Sequence, residues 1–276
     1  MEGLQANKSK SRNFSETRYF GKLNGLELLR GAFTTNFFKP HFHETYSIIL
    51  INNGVADYSY KQKEYIVPQG ELLLLNPYDI HTGRSIGKDV WRFQSIYIPT
   101  NYVKETLNWE KPQSLEAGIV KDPDFTRRAF QLHQALMEKN DLLELDSLLA
   151  NFLHELFTNY SASTTPANNN LEEGNRIRAI RDYLHDNYNK EIALDELSAQ
   201  FNISRFHLIK SFCRQYGLPP HKYLINLRIE KSKPLLRQQW PVTRVAYETG
   251  FYDQSHFINS FKKLVGTTPK KYALSI

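Results

Sequence analysis

The sequence is nearly free of cysteine. Cys213 stands alone among 276 residues, so no intrachain disulfide can form, which fits a reducing compartment. Long apolar runs are missing as well. No stretch approaches the eighteen or so residues that a membrane-spanning helix requires. The N-terminal MEGLQANKSKSRNFSE is polar, without the apolar centre of a signal peptide. The expectation is a cytoplasmic chain with no membrane partner. Large apolar side chains are also scarce in SASTTPANNNLEEG (161–174), which reads as an interdomain linker.

Elsewhere the chain is 41% hydrophobic, enough for a packed core. Its length allows one large domain or two ordinary ones. Charge is unevenly placed. Residues 1–170 hold 18 Lys+Arg against 19 Asp+Glu, whereas residues 171–276 hold 17 against 10. A basic module attached to a neutral one points to a polyanionic partner for the module alone.

From about 28 to 100, short apolar or alternating runs are broken by turn signals. YSIILI leads into Asn52-Asn53-Gly54, read as a tight hairpin turn, and VADYSY, EYIV, ELLLLN and WRFQSIYI follow. This spacing predicts a small barrel or sandwich. From about 122 to 160 the pattern turns helical. Leu142, Leu145, Leu149, Phe152 and Leu156 recur at three- and four-residue steps, a seam that would pack on its own barrel or pair two subunits through the 141–160 helix. After the linker, six or seven short helices are expected, with Ile177, Ile180, Tyr183 and Leu184 striping the first.

Two phrases nearly repeat: SFCRQYGLPPHKY (211–223) and SFKKLVGTTPKKY (260–272). The repeat extends upstream and each copy has the same physical plan. Leu197 or Val245 is followed by a small residue, Ser198 or Ala246, where a second helix must come close. Asn202 or Gly250 tolerates positive φ in a sharp turn. Ile203 or Phe251 is then buried, and Ser204 or Asp253 caps the next helix. That helix buries Leu208 and Phe212, or Phe257 and Phe261, and ends at Gly217 or Gly266. This is a helix-turn-helix present twice, the second turn one residue longer.

The stretches LSAQFNISRFHLIKSFCRQYGLPPHKYLINLRIEKSKPLL and VAYETGFYDQSHFINSFKKLVGTTPKKY resemble the DNA-binding domain of AraC/XylS-type transcription regulators, over about 176–273. The resemblance implies two recognition helices in successive major grooves on one face of double-stranded DNA, joined by a rigid helix within HKYLINLRIEKSKPLLRQ. Pro234 departs from a regular helix interior, so that rod is expected to kink or to restart there. Ser232 stands where the family usually has alanine. Arg228 falls where the family has an arginine bracing the two halves. Helix geometry puts Arg205, Phe206, Ile209 and Lys210 on the outer face of the first recognition helix. Gln254, Ser255, Ile258 and Asn259 take that place on the second; all eight are candidates for base edges. Arg214, Lys262 and Lys263 are candidates for phosphates.

KPHFHETYSIILINNG and PQGELLLLNPYDIHTG resemble the cupin-like sensor domain of the same regulators. The pair His41/His43 and the later His81 raise a metal hypothesis. Metal-binding cupins also carry a Glu shortly after the HxH pair and a His after the PxG turn, and here those places hold Ser47, Ile48 and Leu73. No metal and no cofactor is therefore expected. An organic effector near His41, His43, Tyr46, His81 and Trp91 is the leading reading, and strand-end hydrogen bonding by the two histidines is the alternative.

The fold expected is α+β in two domains. An arm (1–20) precedes a cupin-like β-barrel with two flanking helices (21–160), and an all-α double helix-turn-helix domain (175–276) follows the linker. The function implied is that of an effector-modulated, sequence-specific transcription regulator rather than an enzyme. RNA polymerase is admitted as a further partner. The alternative, a metal-dependent cupin enzyme with an appended DNA-binding domain, lacks a complete ligand set. A DNA-repair methyl acceptor is set aside because Cys213 lies on a recognition helix beside the core residue Phe212.

Overall fold

The computed structural model describes residues 14–34, 37–60, 63–87, 89–162 and 171–274. The first thirteen residues of the expected arm and positions 163–170 of the linker lie outside them. The N-terminal half comprises β1 (Phe14–Phe20), β2 (Leu26–Phe33), β3 (Phe37–His41), β4 (Thr45–Asn53), β5 (Val55–Tyr60), β6 (Lys63–Pro68), β7 (Leu72–Leu75), β8 (His81–Ile86) and β9 (Trp91–Pro99). These are followed by α1 (Thr100–Thr106), β10 (Gly118–Val120), α2 (Pro123–Glu138) and α3 (Leu142–Tyr160).

Six strands form one antiparallel sheet in the order β1-β2-β9-β4-β7-β10, and β3-β8-β5-β6 form the other. The continuous apolar runs of β4 and β7 arise because both faces of the larger sheet are covered. On its outer face Tyr46, Ile48, Leu50, Leu72 and Leu74 meet α2 and α3. On its inner face Ile49, Ile51, Leu73, Leu75 and Phe93 face the smaller sheet.

Three expectations change here. FSETRYF, assigned to the arm, alternates well enough to pair as β1 along β2, from Phe14 opposite Ala32 to Phe20 opposite Leu26. The Asn52-Asn53-Gly54 turn is not a hairpin. β4 pairs with β7 and β9, β5 with β6 and β8, so the chain turns a corner between sheets. Gly54 takes φ +79° there, and Asn53 Nδ2 donates to Val90 O. The leucine seam is spent within the chain: Leu145, Leu149, Phe152 and Leu156 are buried against α2 and the sheet. It cannot also pair subunits. The outward side of α3 instead carries Leu143, 78% exposed, and Leu148.

The C-terminal half is helical: α4 (Leu171–Asp186), α5 (Leu194–Gln200), α6 (Arg205–Tyr216), α7 (Pro220–Arg237), α8 (Val242–Glu248), α9 (Gln254–Val265) and α10 (Pro269–Leu274). α4 begins inside the segment read as linker, at Leu171. No described helix is long and apolar enough to cross a membrane. The half has two cores. Ile177, Ile180, Leu184, Leu197, Leu208, Phe212 and Tyr223 make the first. Ile229, Leu236, Val245, Phe251, Phe257, Phe261 and Tyr272 make the second. α7 contributes to both and runs unbroken through Pro234, an exposed residue in its last turn, whose missing N–H forgoes only the bond to the carbonyl of Glu230. Ser232 is buried and donates back to Ile229 O at 2.7 Å.

Candidate functional site

α5–α6 and α8–α9 are the two helix-turn-helix units, and each follows the sequence plan closely. Asn202 turns at φ +45° and Gly250 at φ +82°. A Cβ on Gly250 would lie 2.9 Å from the backbone of Asn189, so close approach as well as φ requires glycine. Ser198 Oγ donates to Ile203 O at 2.6 Å and locks the first turn. Ser204 accepts from His207 N at 3.4 Å, and Asp253 accepts from His256 N at 2.7 Å. Gly217 and Gly266 close α6 and α9 in the left-handed region. Arg228 Nε and an Nη donate to Tyr188 O and Lys190 O, both at 2.7 Å, while its guanidinium lies 5.9 Å from the Phe251 ring centroid. It thereby ties α7 to the α4–α5 connection, just ahead of the first unit, and to the turn of the second.

The reading candidates separate into available and engaged groups. On α6, Phe206 is 76% exposed, and Ile209 and Lys210 are exposed beside it. Arg205 is ion-paired with Asp195. Arg214 donates to Glu173 Oε1 at 2.6 Å, which partly neutralises a residue assigned to phosphates. On α9, Ser255 and Asn259 are exposed, as are Lys262 and Lys263 in the last turn. Gln254 accepts from Thr243 at 2.8 Å. Ile258 turns partly inward against the second core, because it lies one residue past the buried Phe257. Tyr252, unmarked in the sequence, is 91% exposed in the turn of this unit, just ahead of α9.

The second candidate site lies inside the barrel. A cavity of about 40 Å³ is bounded by His41, His43, His81, Trp91, Glu27 and Tyr97 from the N-terminal half and by Lys233, Leu264 and Val265 from the C-terminal half. Four of the five effector candidates are therefore brought together. Tyr46 is not among them. Side chains alternate along β4, so Tyr46 points away, into the core under α3, where its hydroxyl donates to Gln113 O. Burial pushes the His81 imidazole down to about 4 and holds His41 and His43 well below the ordinary histidine value; the Lys233 ammonium adds to the effect on His43. All three are neutral at pH 7.

The cavity adjoins a larger cleft of about 350 Å³ between the two halves, lined by Glu27, His43, Glu44, Tyr97, Glu230, Lys231, Lys233 and Arg237 among others. The halves are cross-linked around it. Glu27, buried on β2, accepts from Tyr272 OH at 2.6 Å and from Arg237, whose guanidinium stacks 4.3 Å from the Tyr19 ring centroid. Lys231 pairs with Glu44 at 2.9 Å. Phe42 of the N-terminal half enters the first core, with its ring 4.9 Å from Tyr223. Phe38 packs on Gly266 at the end of α9. No sequence signal marked Glu27, Glu230 or Lys233, because their meeting with the histidines depends on segments far apart in sequence.

Residues 23–153 match the family described as AraC-like ligand binding domain, and residues 197–274 match a helix-turn-helix domain family. The chain is 30% identical over 223 residues to the uncharacterized HTH-type transcriptional regulator YbfI of Bacillus subtilis, covering 79% of this chain and 81% of that protein. It is 24% identical to the HTH-type transcriptional activator RhaS of Escherichia coli, over 84% and 86% of the two chains. The fold is similar to that of ToxT from Vibrio cholerae, with a TM-score of 0.57 at 15% identity over 95% of this chain and 97% of that one. A second ToxT structure, bound to an unsaturated fatty acid, aligns at a TM-score of 0.53 and 15% identity over 96% of each. YbfI and RhaS are transcription regulators rather than enzymes, which removes the appended-enzyme alternative. With a ligand-binding domain ahead of two helix-turn-helix units, the chain belongs to the AraC family of DNA-binding transcription regulators.

Proposed function

We propose that α6 and α9 enter successive major grooves of duplex DNA and that a small polar effector in the interdomain cleft changes how they are presented. The observation that carries this reading is the mixed lining of the cleft. An occupant there touches β2, the β3–β4 connection and α7 together, so its binding energy differs between docked and separated halves. A volume of about 350 Å³ is at the small end for ligand sites, and a lining of carboxylates and cations suits a polar, hydrogen-bonding molecule.

In this reading Phe206, Ile209 and Lys210 on α6, with Ser255 and Asn259 on α9, face the bases. Arg205 and Gln254 join them after leaving Asp195 and Thr243. Ile258 supports the helix from beneath. Lys262 and Lys263 neutralise phosphates, and Arg214 does so only in exchange for Glu173. His41, His43, His81 and Trp91 form the inner wall of the sensing site. Pairing of two chains through α3 uses Leu143 and Leu148 instead of the buried seam, and contact with RNA polymerase belongs to the same regulatory role in the cytoplasm.

A thermal-shift screen of small polar metabolites against the full chain, followed by DNA titration with each hit, tests the coupling. The expected result is a hit that raises the unfolding temperature and changes DNA affinity several-fold. Hits that bind and leave DNA affinity unchanged contradict it.

A further inference from the structure

The geometry points to a divalent transition-metal site formed by His41, His43 and His81 and completed by Glu230 from the DNA-binding domain. The sequence reads against a metal because Ser47 and Ile48 stand where a metal-binding cupin has its acid. The fold alters that conclusion in two ways: it converges the histidines, and it delivers a carboxylate from the other domain.

The convergence follows from strand pairing. His41 ends β3 and sits opposite His81, the first residue of β8. His43 lies two residues further, in the connection to β4. One ring nitrogen of each falls within 4.8 Å of those of the other two, and the ring centroids are 4.3, 5.0 and 5.3 Å apart. Nitrogens bound at 2.0–2.1 Å in a tetrahedron stand about 3.4 Å apart, so small side-chain rotations close the set.

Proton placement favours an electropositive occupant. His41 Nδ1 lies 2.7 Å from Lys39 O, and His81 Nδ1 lies 3.0 Å from Asp79 O. A carbonyl oxygen only accepts, so both Nδ1 atoms carry the hydrogen and both Nε2 atoms expose lone pairs. A backbone carbonyl behind each imidazole is the arrangement that orients histidine ligands in metal centres. The surrounding cavity, about 40 Å³, admits an ion with one or two waters and no sizeable organic molecule.

The fourth group is Glu230, on α7. Its Oε1 lies 3.5 Å from His43 Nδ1, a buried atom that has no hydrogen-bond partner among the described residues. The same oxygen now pairs with Lys233 Nζ at 2.7 Å. An ion therefore competes with Lys233 for this carboxylate, and the displaced ammonium has the acidic side of the cleft, Glu27 and Glu44, to move toward. Three imidazoles and one carboxylate suit Zn²⁺, with Ni²⁺, Co²⁺ and Fe²⁺ as congeners. Because three ligands come from the barrel and one from α7, occupancy clamps the DNA-binding domain to the sensor. The inference rests on the cleft as the control point of the proposed function but requires no organic effector.

The test uses the full chain, stripped with a chelator and titrated with Zn²⁺ against a chromophoric competitor, with Co²⁺ absorption as a report on coordination. The expected result is one ion per chain and the visible bands of a four-coordinate nitrogen–oxygen site. His81→Ala should weaken binding at least about 100-fold and Glu230→Gln about 10- to 100-fold. Circular dichroism would establish that each variant is folded, and the wild-type stoichiometry stands without them. Absence of a one-to-one complex overturns the inference, as does binding that both substitutions leave intact. If Zn²⁺ binds as described but affinity for a selected DNA site does not change, the failure lies with the cleft as control point and not with the ion site.

Discussion

The two helix-turn-helix units share one frame and differ in nearly everything attached to it. The first turns through Asn202, has a long cap bond at Ser204, and presents apolar Phe206 and Ile209 between arginines already paired with Asp195 and Glu173. The second turns through Gly250, has a short cap bond at Asp253, and presents Ser255 and Asn259 beside Lys262 and Lys263, for which no ion pair is formed among the described residues. They also meet the sensor differently. The first receives Phe42 into its core, whereas the second supplies Leu264 and Val265 to the cavity wall, and Tyr272 on the following α10 reaches Glu27. One scaffold thus serves two tasks. In the proposed reading the first unit offers apolar base contact, and the second joins phosphate affinity to the state of the cavity.

The largest test of the shared frame is core truncation. Phe212→Ala and Phe257→Ala should each destabilise the C-terminal domain by about 3–5 kcal/mol in equilibrium urea unfolding, since both rings are fully buried. Equal losses support equivalent cores, and a loss under about 1 kcal/mol in either breaks the equivalence. The turns should separate the units next. Gly250→Ala forces a side chain into positive φ and onto Asn189, for a loss of about 2 kcal/mol or more, while Asn202→Gly should stay within about 1 kcal/mol of wild type. The caps should differ in the same direction: about 1–2 kcal/mol for Asp253→Ala and about 0.5 kcal/mol for Ser204→Ala, read from thermal unfolding.

The smallest expected effects are electrostatic and need DNA. Lys263→Ala should weaken all sequences alike and lower the slope of log affinity against log salt by about one. Arg214→Ala should change that slope less, because Glu173 already offsets its charge. Lys210→Ala and Asn259→Ala should relax preference at particular base pairs instead. Identical behaviour of the two classes would show that the groove assignment is wrong.

The helical half was legible in the sequence because its determinants are local. Asn202, Gly250, Ser204, Asp253, Gly217 and Gly266 each act within a few residues of the turn or helix end they fix, and repetition made them visible. The barrel was legible as strands but not as a topology. The Asn52-Asn53-Gly54 turn has hairpin chemistry, and only the partners of β4 and β5 reveal a corner between sheets. The leucine seam of α3 has the same spacing whether it faces a second subunit or its own sheet, so periodicity could not choose. Tyr46 was misplaced by one strand alternation. The cavity was half readable: His41, His43, His81 and Trp91 stood out, but Glu27 and Lys233, and Glu230 in the adjoining cleft, come from distant segments.

The most direct measurement of the central claim is a selection of DNA sequences bound by the full chain, followed by footprinting of the selected site. The account predicts two short elements on one face of the duplex, their centres about 10.5 base pairs apart, with preference at particular base pairs of the element read by α9 relaxed in Asn259→Ala. A single element, or binding indifferent to sequence at low salt, would contradict it.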